Sequence, residues 1–335
     1  TGGSANITIL AGMGGVTGNA TDDTYAEVST TGTIDITSSG AVGSSTNRIS
    51  FPAGQDEVTV STNAGGGDDV YIHGLGALTL GKSGVAVETG AGTDGTAVSV
   101  TTAAGDLSIV GLITAGSNAV TLNPAENIIL NYDPAPGDVI TTSSGAINLQ
   151  RPVQLAANTQ ITSGSGVITF SGNVSESAAT TLTVNSGSAD INFNVDSVTT
   201  TNAQTWTAAN ININAPTGPN DRLTFQTSGA ANIITTTGAI ILSDDDDLTI
   251  DTSSGAGNIT IDALTGFGAT GADKDIYLRA GTGTVTLDGA IGDEALLRDV
   301  TIRSNDIIIT GTGSIAIANT LTVYTENGTV PMNIG

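Results

Sequence analysis

The stretch "SSGAINLQRPVQLAANTQITSGSGVITFSGNV", residues 143–174, nearly states one phrase twice. Ser-Gly-Ala-Ile-Asn-Leu begins at Ser144, and Ser-Gly-Val-Ile-Thr-Phe begins at Ser165. In each, two apolar residues flank a polar one: Ile147-Asn148-Leu149, then Ile168-Thr169-Phe170. Successive side chains of a strand point to opposite faces, so each triplet sends two residues inward and one outward. The pattern returns at Ile191-Asn192-Phe193 and Ile211-Asn212-Ile213, so the four triplets follow one another at nearly even intervals. Weaker apolar stretches fill the intervals, among them "VQL" at 153–155 and "LTV" at 182–184.

Three short strands per coil of about 20–26 residues are the arithmetic of a parallel β-helix, a solenoid in which each repeat touches its neighbours. The expected fold is therefore all-β: a single right-handed parallel β-helix spanning residues 1–335, its hand set by the rule for parallel crossovers. In such a coil Ile147 and Ile168 stack inside, while Asn148 and Thr169 form an external ladder. The core reads as Ile, Val, Leu and a few Phe, with Ala and Gly at the corners. Gly and Asn are expected to supply left-handed corner conformations. Gly-rich segments near 11–27, 62–69 and 262–275, and Pro124, Pro134 and Pro136, read as loop-outs rather than interdomain linkers.

Composition agrees with short strands punctuated by turns. The chain has 45 Gly, 38% hydrophobic residues, 3% aromatics and 12% charged residues. That charged share is about half the usual one-quarter or so. Thirty-two acidic and eight basic residues leave a net charge of −24. Such a surface repels phosphate backbones, which excludes nucleic acid as a partner, and it attracts cations. There is no Cys, so thiol chemistry, disulfides and Cys-ligated zinc are ruled out. No apolar run approaches the roughly 20 residues of a spanning helix, so membrane insertion is not expected. The chain opens at Thr1 with no leader-like stretch, as expected of a processed mature protein or an excised piece of a longer one.

The phrases "SSGAINL", "TSGSGVITFSGNV", "TLTVNSGSADINF" and "GNITIDA" resemble the repeats of large secreted bacterial adhesins. The resemblance is to filamentous-haemagglutinin-like proteins and giant β-strand-repeat surface proteins, and it is best over about 140–325. It implies a right-handed β-helix exported across the envelope, located at the cell surface or in extracellular matrix, and used for attachment. The expected function is thus a non-enzymatic structural or adhesive module. Its expected partners are further copies or neighbouring repeats of a longer chain, and host or neighbour-cell surface glycans. The secretion motif of the class has no good counterpart: "NPAEN" at 123–127 lies far from the N-terminus and departs at its third residue.

Two acidic stretches are candidate Ca²⁺ sites. Asp244, Asp245, Asp246 and Asp247 form the densest run, at a corner between "AIIL" and "LTI". Four like charges repel unless a cation sits among them, and carboxylates at a turn can converge on Ca²⁺. The alternative is a solvated corner. Asp68 and Asp69, in "NAGGGDDVYIHG", resemble one copy of a Ca²⁺-binding β-roll nonapeptide, although such rolls need tandem copies. His73 is the only histidine and lacks partners for catalysis or zinc, so a surface or strand-end position is expected.

The competing function is a polysaccharide-cleaving β-helix, a lyase or phage-spike-like depolymerase. Such chemistry needs clustered carboxylates, a base and aromatic platforms for sugar rings. Arg279, Arg298 and Arg303, with Asp275, Asp288, Asp293, Glu294 and Asp299, mark the one region where it could assemble. Surface ion pairs between coils explain the same residues, and one Trp and five Tyr are few for a sugar cleft. Finally, both chain ends read as further β segments rather than capping helices, which predicts open strand edges and end-to-end association.

Overall fold

A computed structural model describes residues 5–19, 24–62, 68–89, 97–133, 138–215, 222–229, 234–243, 246–266, 274–292, 297–310, 314–325 and 333–334. Its strands are parallel and stack as a β-solenoid. Among the described residues there is no α-helix, only a 3-10 turn at Ser253–Gly255. The chain divides into two compact units, Thr1–Ser171 and Gly172–Gly335.

In the first unit, register pairs join Ile9, Ile36, Val60, Val87, Ile113, Ile140 and Ile161 into one column, each residue one coil beyond the last. A second sheet stacks Val42, Val70, Val98, Val120, Ile147 and Ile168. A third stacks Leu78, Leu107, Ile128 and Val153. From Val42 onward the residues of these last two columns are buried. The repeated phrase behaves as its pattern requires: Ile147 pairs with Ile168, Asn148 with Thr169 and Leu149 with Phe170.

The phrase also repeats its glycine, for a reason of space. A Cβ on Gly145 would lie 1.9 Å from the Asn118 carbonyl oxygen, and one on Gly166 would lie 2.2 Å from that of Gly145. Neither has a positive φ. Left-handed corners elsewhere use Gly, as at Gly81 and Gly238, and among non-glycine residues Glu57 and Ala256. Asparagine, expected at such corners, takes none of them among the described residues.

The second unit repeats the plan. One column runs Leu182, Gln204, Ile234, Ile259, Val285, Ile307. Another runs Ile191, Ile211, Ile240, Leu264, Ile291. The third runs Val198, Phe225, Ile250, Leu278, Ile302. Coil length varies more than the sequence periodicity suggests: the step from Gln204 to Ile234 is nearly half as long again as that from Ile140 to Ile161. The register shifts between Thr207 and Asn210 in this pairing, and the columns resume on either side. Phe193, Trp206 and Phe225 fill this core, with ring centroids 4.9–5.4 Å apart. Each such buried side chain contributes about 1.5–3 kcal/mol.

The interior is not purely aliphatic. Buried hydroxyls sit where strands turn: Thr142 Oγ1 donates to the Gly145 carbonyl at 2.6 Å, Ser186 Oγ to Ala189 at 2.7 Å, and Thr252 Oγ1 to Gly257 at 2.7 Å. They satisfy corner carbonyls that turn away from the ladder. Two buried glutamines do the same, each reaching one carbonyl in its own coil and one in a neighbouring coil. Gln55 Nε2 donates to the Gly32 and Asp56 carbonyls, and Gln204 Nε2 to those of Val198 and Gln226. His73 lies inside the strand Val70–Gly74, buried, with Nδ1 2.8 Å from Thr101 Oγ1.

Candidate functional site

The anticipated acidic sites come apart in the fold. Asp244 and Asp245 lie outside the described residues. Asp246 points inward and is only 3% exposed, while Asp247 faces out. Asp247 is paired with Arg222 at 3.0 Å and accepts the Asp275 N–H at 2.8 Å. Lys274, which precedes Asp275 as Asp246 precedes Asp247, is also buried, at 1% exposure. In the first unit, Asp69 Oδ1 accepts the Ala97 N–H at 2.8 Å, and the Asp68 carbonyl accepts Thr62 Oγ1 at 3.1 Å. The glycines before them, within 63–67, are outside the described set. Among the described residues no three His, Cys, Asp or Glu side chains converge to hold a metal ion.

A depression of about 490 Å³ in the first unit is lined by Thr31, Gly32, Thr33, Asp56, Glu57, Thr79 and Val110. Of its polar groups, Thr79 Oγ1 donates to Asp56 at 3.0 Å, and Thr33 Oγ1 lies 2.9 Å from Nζ of Lys82 outside the lining.

The arginine region is different, because the solenoid gathers it onto one sheet face. Five strands lie in register in the second unit: Arg222–Thr227, Asp247–Asp251, Asp275–Arg279, Leu297–Arg303 and Ile317–Tyr324. Their pentapeptides align as RLTFQ, DLTID, DIYLR, DVTIR and TLTVY, from residues 222, 247, 275, 299 and 320. The second and fourth positions of the first four turn inward and are buried, such as Leu248, Ile276, Val300 and Phe225, Ile250, Leu278. Strand alternation then sends the first, third and fifth outward as three columns. One edge carries Arg222, Asp247, Asp275 and Asp299. The centre carries Thr224, Thr249, Tyr277, Thr301 and Thr322. The other edge carries Gln226, Asp251, Arg279, Arg303 and Tyr324.

Charge pairs knit these columns. Arg298 Nε donates to Asp275 Oδ1 at 2.8 Å, its Nη2 contacts Oδ2, and its Nε lies 3.5 Å from Asp299. Arg279 stands 3.8 Å from Asp251. Two guanidinium groups lie over tyrosine rings: Arg222 is 5.5 Å from the Tyr277 centroid, and Arg303 is 4.7 Å from that of Tyr324. Both rings remain open to solvent, at 43% and 38% exposure. Four of the chain's eight basic residues meet on this face, in a protein of net charge −24.

Of the residues anticipated here, Arg279, Arg298, Arg303, Asp275 and Asp299 come together. The coil mate of Arg279 is Arg303. Asp288 stands apart, following the strand Thr284–Leu287 and bonded to Thr310. Asp293 and Glu294 lie outside the described residues. Sequence reasoning misses Tyr277, Tyr324, Arg222 and Asp251. Aligning the pentapeptides at coil spacing is the signal that finds them.

Chemically, the face offers planar cations, carboxylates, hydroxyls and two amphipathic rings on a rigid sheet. Comparison with known proteins brings no match: no family model, curated protein or solved structure aligns with this chain. Among the described residues no helix is long and apolar enough to cross a membrane.

Proposed function

We propose that this chain is a structural and adhesive solenoid module of a bacterial extracellular surface or matrix, acting without catalysis and presenting its sheet faces to glycans or to further solenoid. One observation carries the proposal: outward polar side chains are spent on bonding each coil to the next. Asn212 Nδ2 donates to Asn192 Oδ1 at 2.8 Å, Thr59 to Asp35 at 2.6 Å, and Asn127 to Asp106 at 2.9 Å. Arg298 does the same across one coil to Asp275. Such ladders stiffen a stack of coils. The carboxylates of the arginine face likewise each lie within 4 Å of an arginine, so they too join the surface ion pairs.

End-to-end association belongs to the same proposal. The strand Ile7–Ala11 pairs with Ile34–Ser38 along one edge, and its other edge has no partner among the described residues. Nearby Leu10 and Met13 are 78% and 89% exposed. A second copy, or adjoining coils of a longer chain, would cover that edge by continuing the parallel ladder. Divalent cations would ease the repulsion between such acidic partners.

The test uses the purified chain on surfaces coated with glycan. Attachment without chain scission is the expected result. Release of new reducing ends from an acidic polysaccharide would overturn the non-enzymatic function. Light scattering and negative-stain microscopy, in millimolar Ca²⁺ and in EGTA, test assembly. Monodisperse monomer at high concentration in both would end the end-to-end part.

A further inference from the structure

From the arginine face of the second unit we infer a binding site for a carboxylate-bearing polysaccharide, with Tyr277, Arg279, Arg303 and Tyr324 as its principal contacts. The inference deepens the adhesive function just proposed and rests on it for its biological purpose. Its physical basis lies in the three columns of that face.

Arg279 and Arg303 are register partners on adjacent strands, about 4.8 Å apart along the stack, as hydrogen-bonded strands are. A guanidinium is planar and always charged, and its fork matches a carboxylate with two parallel hydrogen bonds. Two forks in one column suit a polymer that carries carboxylates in series. The opposite edge is occupied by Asp275 and Asp299, already bound by Arg298, Asn319 and the Thr320 N–H, while the central column presents Thr249, Thr301 and Thr322, whose hydroxyls suit those of a sugar. Between the edges stands Tyr277, whose ring offers an apolar face to the C–H side of a sugar.

Preorganisation strengthens the case. Arg222 over Tyr277 and Arg303 over Tyr324 hold both rings and guanidinium groups in place before any ligand arrives. Ordering such long side chains is part of what binding normally costs, and here much of it is already met. Charge supplies the selectivity. The face's four arginines are matched by Asp247, Asp251, Asp275 and Asp299, so it is locally neutral in a chain of net charge −24, and its arginine column is where a uronate carboxylate meets cations. A neutral glycan would have no use for the arginine column.

Titration calorimetry of the whole chain with oligogalacturonate tests the site. It is run in EDTA, which removes any Ca²⁺ that would bridge two acidic polymers, with dextran as the neutral control. Wild type is expected to bind oligogalacturonate, not dextran, and to bind more weakly as salt rises. Arg279→Ala with Arg303→Ala should weaken binding at least tenfold. Arg279→Lys with Arg303→Lys keeps charge and stem but loses the fork, and should weaken it several-fold. Arg48→Ala, which removes a solitary Arg–Tyr pair in the first unit at 5.7 Å, should leave binding unchanged. Circular dichroism and melting curves confirm that each variant is folded. No binding by wild type, or equal binding by folded double variants, overturns the site. If attachment to coated surfaces persists in either case, the adhesive function stands while this site falls.

Discussion

Two sheet faces of the same architecture carry opposite chemistry. In the first unit the outward column through Tyr71, Ser99, Thr121, Asn148 and Thr169 is neutral. In the second, the columns around Tyr277 are dense in Arg and Asp. Inside, the contrast recurs: the buried polar residues of the first unit are Thr, Ser, Gln, Asn and one His, whereas the second buries Asp246 and Lys274. The backbone is indifferent to this choice, because a parallel ladder asks only that inward positions be apolar or internally bonded. A solenoid therefore separates fold from surface function: inward residues specify stacking, and outward ones are free to vary.

The largest effect should come from the buried charges. Lys274 and Asp246 are both buried next to register-paired strands, and Lys274→Met, which would leave a buried carboxylate without that neighbouring cation, should cost about 3–5 kcal/mol in urea unfolding. Adding Asp246→Leu should restore most of that. A restoration below half would show that the two do not act together. In the first unit no Asp, Glu, Lys or Arg is buried among the described residues, so the matching lesion is steric. Gly166→Ala drives a Cβ into the backbone of the coil beneath, and should cost about 1–3 kcal/mol. An unchanged melting temperature would show that the corner yields freely.

The exposed ladders should differ in kind more than in size. Asp275→Asn loosens the Arg298 pair, and at partly exposed positions about 0–1 kcal/mol is expected. That loss should shrink as salt screens the pair, while Asn148→Ala in the first unit should respond equally at low and high salt. A salt-independent Asp275→Asn would remove the electrostatic distinction between the faces.

The smallest effect concerns Glu176. Partial burial by itself raises its carboxyl pKa, but hydrogen bonds from Thr201 and from the Thr180 hydroxyl and N–H outweigh this and hold it below the ordinary 4.5. A folded-state pKa below the unfolded one contributes stability that is complete above the unfolded value and is lost as pH falls through the folded one. Wild type should therefore weaken more than Glu176→Gln as pH drops from about 5. Identical acid titrations of the two would refute a stabilising role.

The candidate site is only partly legible in the chain. Asp275, Arg279, Asp299 and Arg303 stand out as the rare charged residues of a Gly/Thr-rich sequence, and their spacing hints at coil repetition. Tyr277 and Tyr324 escape notice, because a tyrosine in "DIYLR" reads as an ordinary strand residue until its neighbours across the coils are known. Conversely, "DDDD" draws attention as one cluster, yet the pleat turns Asp246 inward and Asp247 outward.

By itself, then, the sequence determined the parallel solenoid, the inward triplets and the stacking of Ile147 on Ile168, because a short alternation nested within a long repeat leaves few other ways to bury the apolar residues. The tertiary structure alone decided which coil lies beneath which. Coils differ in length by nearly half, as the pairs Ile140–Ile161 and Gln204–Ile234 show, so register across a corner cannot be counted from a mean repeat. That register makes Arg303 the mate of Arg279. It also sets Arg222 against Tyr277 from two strands away, because positions far apart in the chain become neighbours only when the coils close upon one another.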